Sequence, residues 1–366
     1  MFENIIPTLS KTNITHLDCF CGAGIGEIGA ERAGFKTVEA FDNNKQAVET
    51  FNLNFQNVAK VLDAKSLLKD SESETLAYIK SALPKVDFIS GGFPCKPWSV
   101  VGANRGEKDE KTGNLGYLMT LIIKALQPNA FLIENVDGLV NKRNMAYFQG
   151  MVAFLNDAGF DVSWKVLDSS EYGVPQIRKR VFIVGFKKSL NLSYQFPQPF
   201  TVEEEGKMTI REALQGLTKV PNGVDEHEGV GLRNDEKPFI HKVPVGGNWK
   251  SLPIEDQKAF MKGGFYSGGG RTGALRKIDP DGQAKTILSS PQGKATAQIL
   301  DWGDGKSRRY TVRESLRLQS VPDTFRFAPD MSLSKRYERC SGIPSLLAFY
   351  LFKSIRETLT GENGGH

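Results

Sequence analysis

The sequence predicts an α/β protein with a doubly wound, mostly parallel sheet and a second, smaller irregular domain. Three features carry that reading. Short apolar runs alternate with stretches of helical length as far as Phe186, and such alternation builds parallel βαβ units. The first apolar run passes straight into a glycine-rich turn, Gly22-Ala23-Gly24-Ile25-Gly26, at the place where open parallel sheets take up nucleotides. After Phe186 the periodicity fades, and glycine and proline accumulate.

The elements follow in order. Residues 14–20 read as the first strand, with a helix after the glycines running through Ala33, and residues 37–41 and 59–62 as further strands. A strand at 86–90 is closed by Gly91-Gly92, and residues 115–126 have helical length and spacing. Residues 130–134 form a strand, 145–158 a helix, and 162–167 and 181–186 two more strands. From 187 to about 305 the chain carries Gly246-Gly247, Gly263-Gly264 and Gly268-Gly269-Gly270. Trp249, Phe260, Phe265, Tyr266 and Trp302 supply apolar anchors there, so the region is expected to fold without much regular structure. A helix returns at 311–320, stopped before Pro322, and a last one spans 343–359. The expected division is a catalytic and cofactor-binding domain at 1–187, a target-recognition region at 188–332 and a C-terminal segment, 333–366, returning to the first domain.

Composition narrows the class. The 366 residues are 40% hydrophobic and 24% charged, as in ordinary globular proteins. No apolar run approaches the ~20 residues of a membrane span, and the N-terminus lacks the basic-then-apolar order of a signal peptide. A cytoplasmic protein is expected, with no large regulatory domain ahead of Ile14. Cys19, Cys21, Cys95 and Cys340 match no zinc spacing, and the histidines are scattered, so no metal site is expected. The net charge of +5 hints at a polyanionic partner. Lys306, Arg308, Arg309, Arg313 and Arg317 crowd one short segment, a local excess suited to phosphates.

Three further segments bear chemistry. Asp42 ends the second strand and can accept hydrogen bonds from ribose hydroxyls; Asp63 ends the third and can meet an adenine amine. Gly24, Gly26 and Gly29 also satisfy G-x-G-x-x-G, so a nicotinamide dehydrogenase stays open at this point. Cys95 lies between Pro94 and Pro97, with Lys96 beside it, in a stiffened loop that favours a thiolate. Glu134-Asn135-Val136 ends another strand. Gln176, Arg178 and Arg180 alternate, so one face of a strand would carry all three. Carbon 5 of a pyrimidine becomes nucleophilic once a thiolate adds at carbon 6. An acid at N3 and a guanidinium at O2 complete such a site.

In this order the segments resemble the DNA (cytosine-5) methyltransferase family over nearly the whole chain. Residues 20–26 resemble its cofactor loop, Phe93-Pro94-Cys95 its nucleophile motif, Glu134-Asn135-Val136 its ENV motif, and residues 176–180 its Q-x-R-x-R motif. Residues 309–314, with Leu318-Gln319 and Pro322-Asp323, resemble the segment that supports target recognition. The resemblance implies a Rossmann-like methyltransferase fold, S-adenosyl-L-methionine as cofactor and double-stranded DNA as substrate. It implies Cys95, Glu134, Arg178 and Arg180 as catalytic, with Asn135 bracing the Cys95 loop. For the cofactor it implies Phe20, Cys21, Gly22, Ala23, Gly24, Gly26, Asp42, Asn43, Asp63, Pro94, Leu115, Ser341 and Ile343. For DNA the candidates are Lys96, Ser99, Arg105, Arg271, Arg276 and Arg309, with residues 100–113 as a lid.

Two departures stand out. Lys96 occupies the position of a usual Gln, and Ser341 that of an Asn that helps hold the cofactor, with less reach. The expected setting is bacterial or viral restriction-modification, as a monomer, with a cognate endonuclease that forms no stable complex with it. An RNA substrate and a non-catalytic DNA-binding protein are the remaining alternatives. If the irregular region reads sequence, grafting it from a relative of different specificity moves the methylated site. Bisulfite sequencing reports this, and an active chimera that keeps the parent's site would place specificity elsewhere, first in the 100–113 loop.

Overall fold

The computed structural model describes all residues except 1, 94–114, 201–202, 204–205, 267–272, 291–292, 294–297, 304 and 363–366. The chain forms two compact units. One comprises Ile6–Asp168, Lys179–Gln198 and Leu347–His366, the other Met1–Ile5, Ser169–Arg178 and Pro199–Leu346.

The first unit is built on a seven-stranded sheet. In chain order its elements are β1 (Thr15–Cys19), α1 (Ile25–Arg32), β2 (Lys36–Asp42), α2 (Lys45–Asn54), β3 (Ala59–Val61), α3 (Glu72–Ala82), β4 (Phe88–Gly91), α4 (Leu115–Leu126), β5 (Ala130–Val136), α5 (Met145–Asp157) and β6 (Phe160–Asp168). The short β7 (Gln176–Ile177) belongs to the other unit, and β8 (Lys179–Lys187) rejoins the sheet. The strand order is β3-β2-β1-β4-β5-β8-β6. β1 to β5 pair in parallel, whereas β8 runs antiparallel to both β5 and β6. The mostly parallel sheet is thus as expected.

Burial explains the strand composition. All of β4 and the first four residues of β5 are buried, as strands covered on both faces must be. α4 packs Leu118, Met119, Leu121 and Ile122 onto Leu17, Ile89, Phe131 and Ile133. The sequence boundaries of α4 match the expected ones, since its apolar residues leave little choice of face. The helices α2 and α3 were not anticipated, although both carry readable caps. The Asn44 side chain accepts the Ala47 N–H, and Ser71 with Glu74 forms a capping box. Gly29 has a packing role: a Cβ there would meet the backbone N of Phe349 at 2.4 Å, in the C-terminal helix Ser345–Thr360.

The second unit is irregular, as expected. β7 pairs in parallel with β10 (Ala284–Lys285), and β9 (Arg276–Ile278), β11 (Gln298–Leu300) and β12 (Arg308–Arg309) make a small sheet in the order β12-β11-β9. Its helices are α6 (Ile210–Ala213), α7 (Ile254–Met261), α8 (Gly263–Tyr266), α9 (Val312–Arg317) and α10 (Leu333–Arg339). Trp249 and Phe260 are buried with Ile240, Val243, Leu275 and Ile299, and Phe265 packs against them. Tyr266 is 75% exposed and meets the Phe265 ring edge-on from outside that core.

The units do not divide at 187/188 and 332/333. Residues 169–178 join the second unit through the β7–β10 pair. Residues 333–346 do so through Tyr337, whose hydroxyl donates to the Tyr310 carbonyl, and through the Cys340 carbonyl, which accepts from Gln319.

The arginine cluster needs correction. Arg309 is 2% exposed and holds the buried Glu236 at 2.6 Å, so its guanidinium is not offered to DNA. Arg308 grips Glu314, and Arg317 grips Asp323. Arg313 donates to the carbonyls of Asp225, Pro322 and Phe325. Of the five basic residues, Lys306 alone is exposed. Removing one partner of a buried pair strands the other charge. Arg309→Met should therefore cost about 3–5 kcal/mol of stability, read by urea unfolding; a loss under about 1 kcal/mol would return Arg309 to the surface cations.

Candidate active site

β1, β4 and β5 are parallel, so their carboxyl ends lie along one edge of the sheet. From β1 the chain winds outward through β2 to β3, then crosses back to β4 on the other side of β1. The reversal between β1 and β4 is a topological switch point, where such sheets bind ligands. The loop of residues 20–26 leaves β1 there, Gly92 and Phe93 leave β4, and Glu134 sits near the end of β5.

The first loop is shaped by backbone conformation. Phe20 (φ 59°), Gly22 (φ 56°) and Gly24 (φ 87°) all take the left-handed region. Open space faces Gly22: a Cβ there would meet nothing within 4 Å. Asp42 fastens the loop. Its Oδ2 accepts the Gly22 N–H at 3.1 Å and its Oδ1 the Asn44 N–H at 2.8 Å. Ala23 is buried, Cys21 half-buried, and Gly26 lies in the first turn of α1, which no side chain caps. Asn43 is exposed beside Asp42. Asp63 follows β3, exposed, and accepts the Lys65 N–H. Leu115 opens α4 and is half-buried.

The β5 motif does three separate things. Glu134 Oε1 lies 3.1 Å from Arg180 Nε, which the antiparallel β8 brings alongside. Glu134 Oε2 would be 3.0 Å from a Cβ on Gly92, so a larger residue there would press on the carboxylate. Asn135, 3% exposed, donates from Nδ2 to the Phe93 carbonyl at 3.1 Å. It thereby holds the backbone that leads into Pro94 and Cys95. Gly92 was missed as a site residue; the signal was the Gly-Gly pair at the strand end.

The thiols differ from what a nucleophile requires. Burial, reinforced by neighbouring acids, pushes Cys19 and Cys21 well above the ordinary thiol range, and burial pushes Cys340 up as well. All three are held as thiols.

Residues 176–180 do not form one strand face. The chain breaks at Arg178, so Gln176 and Arg178 lie in the second unit and Arg180 in the first. Gln176 is wholly buried, donating to the Leu318 carbonyl and accepting the Ile287 N–H. Arg178 is 3% exposed. Ser341 and Ile343 are half-buried in the loop after α10, and Arg276 is half-buried at the start of β9. Pro94, Cys95, Lys96, Ser99, Arg105, Arg271 and the 100–113 lid lie outside the described residues. Among the described residues no cluster of His, Cys, Asp and Glu could hold a metal, and no helix is long and apolar enough to cross a membrane.

The family model for C-5 cytosine-specific DNA methylases matches residues 14–357. The type II methyltransferase M.Sau96I of Staphylococcus aureus is 31% identical, over 92% of this chain and 74% of that protein. M.FnuDI of Fusobacterium nucleatum is 32% identical over 94% of each. Among solved structures, a DNA modification methyltransferase encoded within an E. coli prophage superposes with a TM-score of 0.63 at 22% identity, covering 95% of this chain and 99% of that one. S. pombe Dnmt2 methyltransferase gives 0.63 at 16% identity, over 96% and 99%, a likeness of fold alone. The family match removes the nicotinamide reading of the glycine pattern and favours DNA over RNA. The chain belongs to the C-5 cytosine-specific DNA methylases, S-adenosylmethionine-dependent enzymes that transfer a methyl group to carbon 5 of cytosine in DNA.

Proposed function

We propose that this methylase works through a covalent adduct of Cys95 with carbon 6 of a flipped cytosine, within one specific double-stranded sequence. The observation that carries it is the Asn135–Phe93 hydrogen bond, which ties the β5 motif to the chain entering the Cys95 loop. The base leaves the stack to reach the switch-point edge. Cys95 adds to carbon 6, and Glu134 contacts N3 and the exocyclic amine, as hydrogen-bond partner and proton donor. Arg180 orients Glu134, and Arg178 holds the base. Carbon 5, made nucleophilic by that addition, takes the methyl group and then loses its proton as the thiol leaves.

S-adenosylmethionine supplies the methyl group as an electrophile. The loop fits it: Gly22 opens onto free space, α1 begins without a side-chain cap, and Asp42 keeps lone pairs beyond its two backbone bonds. Phe20, Cys21, Ala23, Gly24 and Gly26 would line it, with Asp42 and Asn43 at the ribose and Asp63 near the adenine. Pro94, Leu115, Ser341 and Ile343 complete the set. The second unit would read the DNA, with Arg271 and Arg276 the first arginines to test against guanine, and Lys96, Ser99 and Arg105 contacting the backbone. The setting we infer is a monomer in the bacterial cytoplasm, protecting DNA from a separate endonuclease.

Cys95→Ser should abolish methyl transfer while the protein still folds, because an alcohol is a far weaker nucleophile near neutral pH. Tritiated methyl incorporation into DNA measures it, and activity within tenfold of the parent would refute the adduct. Asp42→Ala should weaken S-adenosylmethionine binding by about 1.5–3 kcal/mol or more, since it removes hydrogen bonds to a charged group and also releases Gly22. An unchanged calorimetric Kd would move the ribose elsewhere.

A further inference from the structure

A line of buried and half-buried polar side chains runs through the sheet unit, from α1 across β2 and β1 to β4. His16, wholly buried on β1, is its centre, boxed by the rings of Phe35, Phe88 and Phe352. On one side His16 Nδ1 lies 2.8 Å from Thr37 Oγ1, which lies 2.5 Å from Glu27 Oε1. On the other, His16 Nε2 lies 2.8 Å from Ser90 Oγ, which lies 2.9 Å from Asp18 Oδ1. Glu27 ends the line in α1. Asp18 ends it on β1, just ahead of Phe20, and Ser90 is on β4, just ahead of the segment leading to Cys95.

The protons of such a line can be counted. Each hydroxyl has one, and a neutral imidazole has one N–H. If Glu27 is protonated, it donates to Thr37, Thr37 to Nδ1, Nε2–H to Ser90, and Ser90 to the Asp18 carboxylate. Every contact is satisfied. If the carboxyl proton sits on Asp18 instead, the whole line reverses and is again satisfied. With neither carboxyl protonated and a neutral imidazole, one ring nitrogen faces a hydroxyl oxygen lone pair to lone pair; an imidazolium, its Nδ1 3.6 Å from Glu27 Oε2, would match every contact but would bury three charges in place of one. With both protonated, one hydroxyl proton has no acceptor along the line. Only the state with one carboxyl proton leaves nothing unmatched while burying a single charge, and unmatched buried polar groups are costly.

We propose that Asp18 and Glu27 share a single proton through Ser90, His16 and Thr37, and that this line fixes the end of β1 against the end of β4 as a set of positioning residues for methyl transfer. The last clause rests on the reading of those two strand ends as the cofactor and nucleophile sides of the site. The proton resides on Glu27, which is 4% exposed and whose Oε2 has no hydrogen-bond partner, whereas Asp18 keeps partial exposure. Burial raises the Glu27 carboxyl well above its ordinary range, with Asp18 and Glu31 adding to the rise and the Thr37 bond opposing it. Burial pushes Asp18 up to about 7, opposed by the Ser90 bond and reinforced by Asp42, and pushes His16 down to about 3. Cys21 faces both carboxyls and Cys19 faces Asp18. Lys11, Glu31 and Lys36 line a cavity of about 290 Å³ beside Glu27.

Four measurements test this. In ¹⁵N NMR of the parent near neutral pH, His16 should be the neutral Nε2–H tautomer; a protonated ring or an Nδ1–H tautomer overturns the assignment. Infrared spectra should show the C=O stretch of a protonated carboxyl that vanishes in Glu27→Gln and persists in Asp18→Asn; the reverse pattern, or no such band in the parent, overturns it. The folded protein keeps a Glu27 proton that the unfolded chain sheds above its ordinary pKa of about 4.3, so this group favours folding less as pH rises. The thermal midpoint of Glu27→Gln should therefore climb relative to the parent's from about pH 5 to about pH 8, and a constant gap counts against the shared proton. Thr37→Val cuts the line at near-constant volume and should lower kcat several-fold; a parental kcat overturns the positioning role. If the parent itself transfers no methyl group, the reading of the site fails while the spectroscopic results still judge the proton.

Discussion

Three loops of different chemistry leave the same edge of the sheet because β1, β4 and β5 run parallel and share their register. Everything at the site depends on that edge being held, and short polar bonds hold it. Asp42 at the end of β2 reaches back to the Gly22 N–H, and Asn135 at the end of β5 reaches across to the Phe93 carbonyl. Each bond joins a strand end to the loop of its neighbour. A sheet ladder cannot do this, since it stops where the strands stop. The glycines serve the same end: Gly22 gives a left-handed turn facing open space, and Gly92 brings the end of β4 close to the Glu134 carboxylate without crowding it.

How much of this the sequence reveals depends on how local the cause is. The α4 boundaries were legible because its apolar pattern is written within the helix itself. The sheet strands were legible from apolar runs, and the edge that collects Phe20, Gly92 and Glu134 follows from their parallel order. The split of residues 176–180 was not legible. Gln176 pairs with a strand more than a hundred residues away, and Arg180 with β5, so a period-two pattern merges two strands that join different sheets. The tight packing of Gly29 was hidden in the same way, since its partner is the C-terminal helix. Asp42 was legible as an acid at a strand end but not as a loop brace, because backbone N–H partners leave no trace in residue identity.

The arginines of the second unit extend that point to a physical rule. Its strands are two or three residues long, so ladders satisfy few of its backbone carbonyls. Guanidinium groups take over, each bringing five N–H donors on a rigid fork. Arg313 spans carbonyls of Asp225, Pro322 and Phe325, and Arg317 those of Ala213 and Gln215 while also gripping Asp323. Arg336 joins Glu226, Glu228 and the Met331 carbonyl. An irregular chain of this kind consumes positive charge internally, so a dense run of arginine in such a region is weak ground for assigning a phosphate contact. A backbone held at scattered forks also tolerates insertions between them better than one held by a continuous ladder, whose register a single inserted residue shifts. That freedom suits the sequence-reading role proposed for this unit.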